Sequence, residues 1–143
     1  MYDGMGDFDA NEYSWYYGFE VIKPYLLDYA TTYAVGSTST DAKLSDDGQQ
    51  QQQRKVDKST ISILIPGCGN DPLLLDLYNA GYQSLTAFDY SEGAIERQRT
   101  LLEYLQAGSN TANNIELRVE DARSLPKEWR ESYDFIIEKG ALD

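Results

Sequence analysis

The chain has 143 residues, 41% of them hydrophobic, which is enough for one domain with a core of its own. Twenty-four acidic against twelve basic side chains give a net charge of −12; with no basic patch in the sequence, that charge repels nucleic acid and anionic lipid. The single cysteine, Cys68, excludes an internal disulfide and a multi-cysteine metal site, and the absence of histidine removes the usual neutral-pH base, the usual zinc ligand and every triad that needs an imidazole.

The opening residues 1–7 have neither the basic start nor the apolar stretch of a signal peptide. No apolar run approaches the roughly 18 to 20 residues that cross a bilayer. The expectation is a cytoplasmic protein with no metal, no membrane contact and no nucleic-acid partner. In chain order, residues 13–27 are aromatic and then helical in pattern, with Phe19, Ile22, Leu26 and Tyr29 spaced for one face. Pro24 suits the start of a helix better than its interior. From Gly36 to Ser59 the composition turns to Ser, Thr, Asp, Gln and Lys and includes the run Gln49 to Gln53, which reads as a disordered insertion. The organisation expected is therefore an aromatic and helical lid segment at 1–35, the insertion at 36–59 and a folded domain at 60–143.

From residue 60 the pattern becomes regular. Residues 61–65 read as a strand ending in Pro66-Gly67, and Pro72 to Ala80 as a helix closed by Gly81. Residues 84–88 read as a second strand ending at Asp89, followed by a helix from Ser91-Glu92 through Leu105. A third strand, 115–119, ends at Glu120-Asp121, and a fourth, 133–138, follows a short turn around Trp129. Alternation at this spacing predicts an α/β fold with a parallel sheet and right-handed crossovers, whose strands bind ligands beyond their carboxyl ends. The consecutive Phe135, Ile136 and Ile137 predict an interior fourth strand, with nothing after it here to cover it.

Three successive strand ends carry chemistry. In Pro66-Gly67-Cys68-Gly69-Asn70-Asp71-Pro72, Gly67 and Gly69 permit a sharp turn and let a ligand approach the backbone. A dinucleotide fingerprint would place a third glycine where Pro72 stands, so the turn suits a nucleoside better than NAD. Asp89, twenty positions after Gly69, can accept from both hydroxyls of a ribose, and Tyr90 can lie against a flat base. Asp121 can accept from the exocyclic amine of adenine while the N–H of Ala122 faces a ring nitrogen. Taken singly, each feature has a plain structural reading: a Gly-x-Gly is a turn, an aspartate caps a helix, Cys68 is a small residue in a crowded loop, and Lys139 is a solvated lysine. Their order along one sheet favours the ligand reading.

These residues resemble the eukaryotic seven-strand protein lysine methyltransferases that modify elongation factor 1-alpha, including the type fused to endothelin-converting enzyme. The match is carried by Tyr13-Ser14-Trp15-Tyr16, by residues 63–70, by Phe88-Asp89-Tyr90-Ser91 and by Glu138-Lys139-Gly140-Ala141-Leu142-Asp143. The last is similar to a Glu/Asp-Lys-Gly-Thr-Leu-Asp signature with Ala141 in place of Thr. The resemblance implies a Rossmann-like S-adenosylmethionine-dependent methyltransferase, here with its first four parallel strands, flanking helices and an N-terminal helical segment, the remaining strands missing. It further implies S-adenosyl-L-methionine as cofactor, a lysine side chain of elongation factor 1-alpha or a similar protein as acceptor, and cofactor contacts at Trp15, Gly67, Asp89, Tyr90, Asp121, Ala122 and Lys139. An upstream Tyr-Trp-Asp element usual in the family is absent from this sequence. No catalytic residue is assigned, and Glu138 and Asp143 lie nearest to a substrate. The expectation is a cofactor-binding fragment, inactive alone. A small-molecule methyltransferase on the same fold, a non-catalytic cofactor- or partner-binding module and, third, a dehydrogenase are the other readings.

Overall fold

The computed structural model of the chain describes residues 18–36, 57–109 and 113–140, and of residues 29–36 only the backbone. Trp15, positions 37–56 of the Gln-rich segment and Ala141-Leu142-Asp143 lie outside the described residues.

The β-branched run after residue 60 forms strand β1 (Ser62–Pro66), followed by α2 (Leu73–Asn79), β2 (Ser84–Asp89), α3 (Glu92–Gln106), β3 (Asn114–Val119) and β4 (Phe135–Ile136); helix α1 (Phe19–Gly36) precedes them. The four strands form one parallel sheet in the order β3-β2-β1-β4. This is the expected α/β, Rossmann-like arrangement of four parallel strands with flanking helices.

Strand register divides the sheet into two unlike faces. Ile63, Ile65, Leu85, Ala87, Ile115, Leu117 and Phe135 share one face and pack with Leu73, Leu74 and Leu77 of α2, Ile95 of α3 and Leu26 of α1. The other face carries Ser84, Thr86, Phe88, Glu116 and Arg118, over which the 3-10 turn Lys127–Trp129 lies: the Trp129 ring is 5.6 Å from Phe88 and 5.6 Å from the Arg118 guanidinium. Right-handed crossovers require this switch of face. The chain steps outward from β1 to β3 through helices on one side, then must return past β1 on the other side to place β4. The reversal opens a crevice between the carboxyl ends of β1 and β4, where sheets of this kind bind ligands.

Capping residues set the helix ends. Ser91 Oγ accepts the Ala94 N–H at 3.3 Å and starts α3. Helix α2 closes as expected at Gly81, whose φ of 100° lets the Tyr82 N–H reach Leu77 O at 3.1 Å and the Gly81 N–H reach Tyr78 O at 3.0 Å. Before β1, Asp57 caps a 3-10 turn at Lys58–Thr60, and Lys58 Nζ donates to Ala80 O at 2.9 Å. Residues 57–59, read as the end of the insertion, therefore belong to the folded part.

Two expectations need correction. Helix α1 does not start at Pro24 but runs through it, although the proline has no N–H to give to Glu20 O. Phe19, Ile22 and Leu26 pack on the core from both sides of the proline, which offsets a penalty of about 3 kcal/mol. The fourth strand pairs regularly over two residues rather than six; it stands at the edge of the sheet with Ile136 64% exposed, in keeping with an apolar strand that no described residue covers. It keeps its place through backbone bonds from Asp134 N–H to Ser62 O and from Ile137 N–H to Leu64 O, both 2.9 Å.

Candidate functional site

The turn after β1 is built on two glycines in the left-handed region, Gly67 (φ 56°) and Gly69 (φ 47°), where a side chain costs about 1–2 kcal/mol. The Cys68 N–H donates to Phe88 O at 3.0 Å, which folds the turn back onto the end of β2. There Asp89, 7% exposed, accepts the Gly69 N–H on Oδ2 at 2.9 Å and the Ser91 N–H on Oδ1 at 2.8 Å. The Glu120 N–H donates to Asp89 O at 3.0 Å, so the segment leading to Asp121 leaves β3 beside it. Gly67, Asp89 and Asp121 thus follow three neighbouring parallel strands out of the same rim.

The two aspartates differ in what they have left to offer. A carboxylate has about four lone-pair directions, and Asp89 uses two of them on backbone N–H groups, leaving acceptors for a diol. Asp121 takes three N–H donors from Arg123: Oδ1 accepts the backbone N–H at 2.9 Å, Oδ2 accepts Nη2 at 2.7 Å, and the single Nε–H is shared between the two oxygens at 3.0 and 3.1 Å. Those hydrogen bonds hold the Asp121 carboxyl down to about 2. Tyr90, 78% exposed, and Ala122, also exposed, stand on the same rim.

Across the crevice stands Lys139. Its Nζ lies 2.7 Å from Asp71 Oδ2, with the two side chains 11% and 10% exposed, so the reading of a solvated lysine is overturned. Asp71 Oδ1 accepts the Leu73 N–H at 2.9 Å and so caps α2. Gly140, at φ 90°, gives the signature its turn immediately after the lysine. The crevice is lined by Pro66, Gly67, Cys68 and Asp71 on one side and Ile137 and Lys139 on the other. Gln98, 1% exposed on α3, donates from Nε2 to Gly69 O at 3.0 Å and to Asp71 O at 2.9 Å, fastening the turn from below.

The electrostatics favour binding over covalent chemistry. Burial, and then the charges of Asp89 and Asp71, push the Cys68 thiol up to about 12, so it is not a nucleophile. Burial, with Asp71 and Glu20 adding and Lys139 opposing, raises Asp76 above the usual carboxylate range. Among the described residues no cluster of His, Cys, Asp or Glu could hold a metal, and no helix is long and apolar enough to cross a membrane. What the rim presents is backbone N–H groups, carboxylate acceptors and an exposed aromatic ring.

Sequence reasoning placed Gly67, Gly69, Asp89, Tyr90, Asp121 and Ala122 at successive strand ends, which the structure sets on one rim, while Lys139, a cofactor contact by resemblance, lines the crevice beside Gly67 and Cys68. It missed Gln98, although a glutamine within the buried stripe Ile95, Gln98, Leu102 was a usable signal.

Part of the chain is similar in sequence to curated lysine methyltransferases. The chain is 30% identical over 94 residues to the human EEF1A lysine methyltransferase 2, a match covering 66% of this chain and 36% of that protein. It is 34% identical over 82 residues to the Danio rerio EEF1A lysine methyltransferase 2, covering 57% and 33%, and 32% identical over 89 residues to the Xenopus laevis eEF1A lysine and N-terminal methyltransferase, covering 62% and 12%. The matched region is about a third or less of the length of these curated relatives. No family model matches the chain.

Proposed function

We propose that this chain, similar in sequence to the EEF1A lysine methyltransferases, is the S-adenosyl-L-methionine-binding part of a protein-lysine N-methyltransferase acting on elongation factor 1-alpha or a similar protein. The observation that carries the reading is the Asp89 carboxylate, buried at the rim, tied to the Gly69 N–H and still able to accept two further hydrogen bonds.

The residues present fit the cofactor. The glycine turn lets a ligand approach the backbone, Asp89 accepts from the ribose hydroxyls, and Tyr90 flanks the base. Asp121 and Ala122 face the adenine edge, with Arg123 yielding the Asp121 oxygens. Trp15, in the segment before α1, is assigned to the cofactor contacts as the family resemblance implies, and the Gln-rich stretch between α1 and Asp57 separates that N-terminal piece from the domain. S-adenosylmethionine supplies the electrophile as a methyl group on a sulfonium, so the chain's task is to bind, orient and exclude water. The chain's net charge of −12 favours the approach of a cationic lysine side chain. The cytoplasm, a reducing compartment, suits the unpaired Cys68.

Isothermal calorimetry with S-adenosylmethionine, S-adenosylhomocysteine and NAD tests the reading. Saturable binding of the first two and none of NAD is expected; binding of NAD alone, or of none of the three, ends it.

A further inference from the structure

We propose that Lys139 is a positioning residue for the turn after β1, acting through Asp71 rather than by touching the ligand. The inference rests on the cofactor reading above and assigns the signature lysine a different task within it. Its ammonium lies 2.7 Å from Asp71 Oδ2, beyond the β1–β4 backbone bond from Ile137 N–H to Leu64 O, so the pair spans the crevice at its open end. Asp71 is itself held on two other elements: Oδ1 on the Leu73 N–H of α2 and its carbonyl on Gln98 of α3. A pull on Asp71 is therefore transmitted to Gly69, whose carbonyl shares the same Gln98 Nε2 and whose N–H rests on Asp89.

Stability alone is a poor reason to keep such a pair. At about a tenth exposed, both charges give up most of their hydration, and apolar residues of similar volume commonly serve as well in such places. What an apolar pair lacks is direction. An ion pair fixes the distance between the segment after β4 and the glycine turn, and with it the width of the crevice.

The test uses the full 143-residue chain with Lys139→Met, Asp71→Asn and the double variant, which leaves no buried charge without its partner if a single variant fails to fold. Without ligand, amide exchange at Gly69 and Leu73 should quicken in every variant while that of Leu85 does not. With S-adenosylhomocysteine, each single variant should bind about tenfold more weakly and the double no more weakly than either. Losses that multiply to about a hundredfold mean Lys139 contacts the ligand itself and overturn the proposal. So does unchanged exchange at Gly69 and Leu73. If the unaltered chain binds no S-adenosylhomocysteine, the cofactor reading falls, and the exchange measurement alone decides whether Lys139 holds the turn.

Discussion

The Gly69 N–H donates to Asp89 Oδ2 at 2.9 Å, joining the turn after β1 to the last residue of β2. A carboxylate at a strand end ordinarily serves the next helix, and Asp89 does this too through the Ser91 N–H. Its second oxygen reaches sideways to the neighbouring strand's turn. The residue proposed to hold a ribose is thus also the residue that sets the shape of the glycine turn.

Replacing Asp89 with Asn should disturb both tasks. One of the two backbone donors would face an amide NH2 in place of a carboxylate oxygen, at a cost of about 1–3 kcal/mol in urea unfolding. Affinity for S-adenosylhomocysteine should fall by at least about tenfold in calorimetry. A folded Asp89→Asn chain with unaltered affinity would show that the ligand does not use this carboxylate.

Arg123→Ala should strengthen binding. Arg123 is itself 89% exposed on its side chain yet its guanidinium engages both oxygens of Asp121, so its removal leaves only the backbone N–H bond and frees the carboxylate for an adenine amine. A gain of about two- to fivefold in affinity is expected, within the range of a single hydrogen bond. The carboxyl titration of Asp121, followed by NMR, should rise from about 2 towards the ordinary aspartate value of 3.8. Because the folded value lies below the unfolded one, the contribution of this pair to stability is present above pH 3.8 and lost as the pH falls through about 2.

Cys68 should be inert in the folded chain. With its thiol pushed up to about 12, iodoacetamide at pH 8 should label it only after unfolding in urea, where the ordinary value near 9.0 returns. The sign for stability follows from the raised folded value: the benefit of a neutral thiol is complete below pH 9.0 and is lost as the pH climbs towards about 12. Rapid labelling of the native chain at pH 8 would contradict the burial described here.

Lys58→Met should cost stability without touching the site. The variant loses the bond to Ala80 O and the ammonium lying 5.4 Å from the centre of the Tyr82 ring, together about 1 kcal/mol by thermal or urea unfolding. S-adenosylhomocysteine affinity should stay within about twofold, because these contacts lie at the amino ends of the strands.

The sheet could be read from the sequence because local and long-range preferences agree there. Runs such as 61–65 and 84–88 are β-branched or apolar, end in Gly or Asp, and sit one helix apart, which leaves little choice but parallel crossovers. The rim residues were legible for the same reason: Gly67, Asp89 and Asp121 each follow a strand. Pro24 was misread because packing of Phe19 and Leu26 on either side outweighed its local preference. The stripe Ile95, Gln98, Leu102 could mark Gln98 as buried, but the partners of Asp71, Gln98 and Lys139 were beyond pattern reading, since their bonds join positions 27 to 68 residues apart and depend on which helix faces which turn.

Asp57 and Lys58 fasten the chain at the rim where β1 begins, a full strand length from Gly67. A change carried to the domain through Asp57 and Lys58 would arrive at the rim opposite the ligand, with the whole of β1 between it and Gly67.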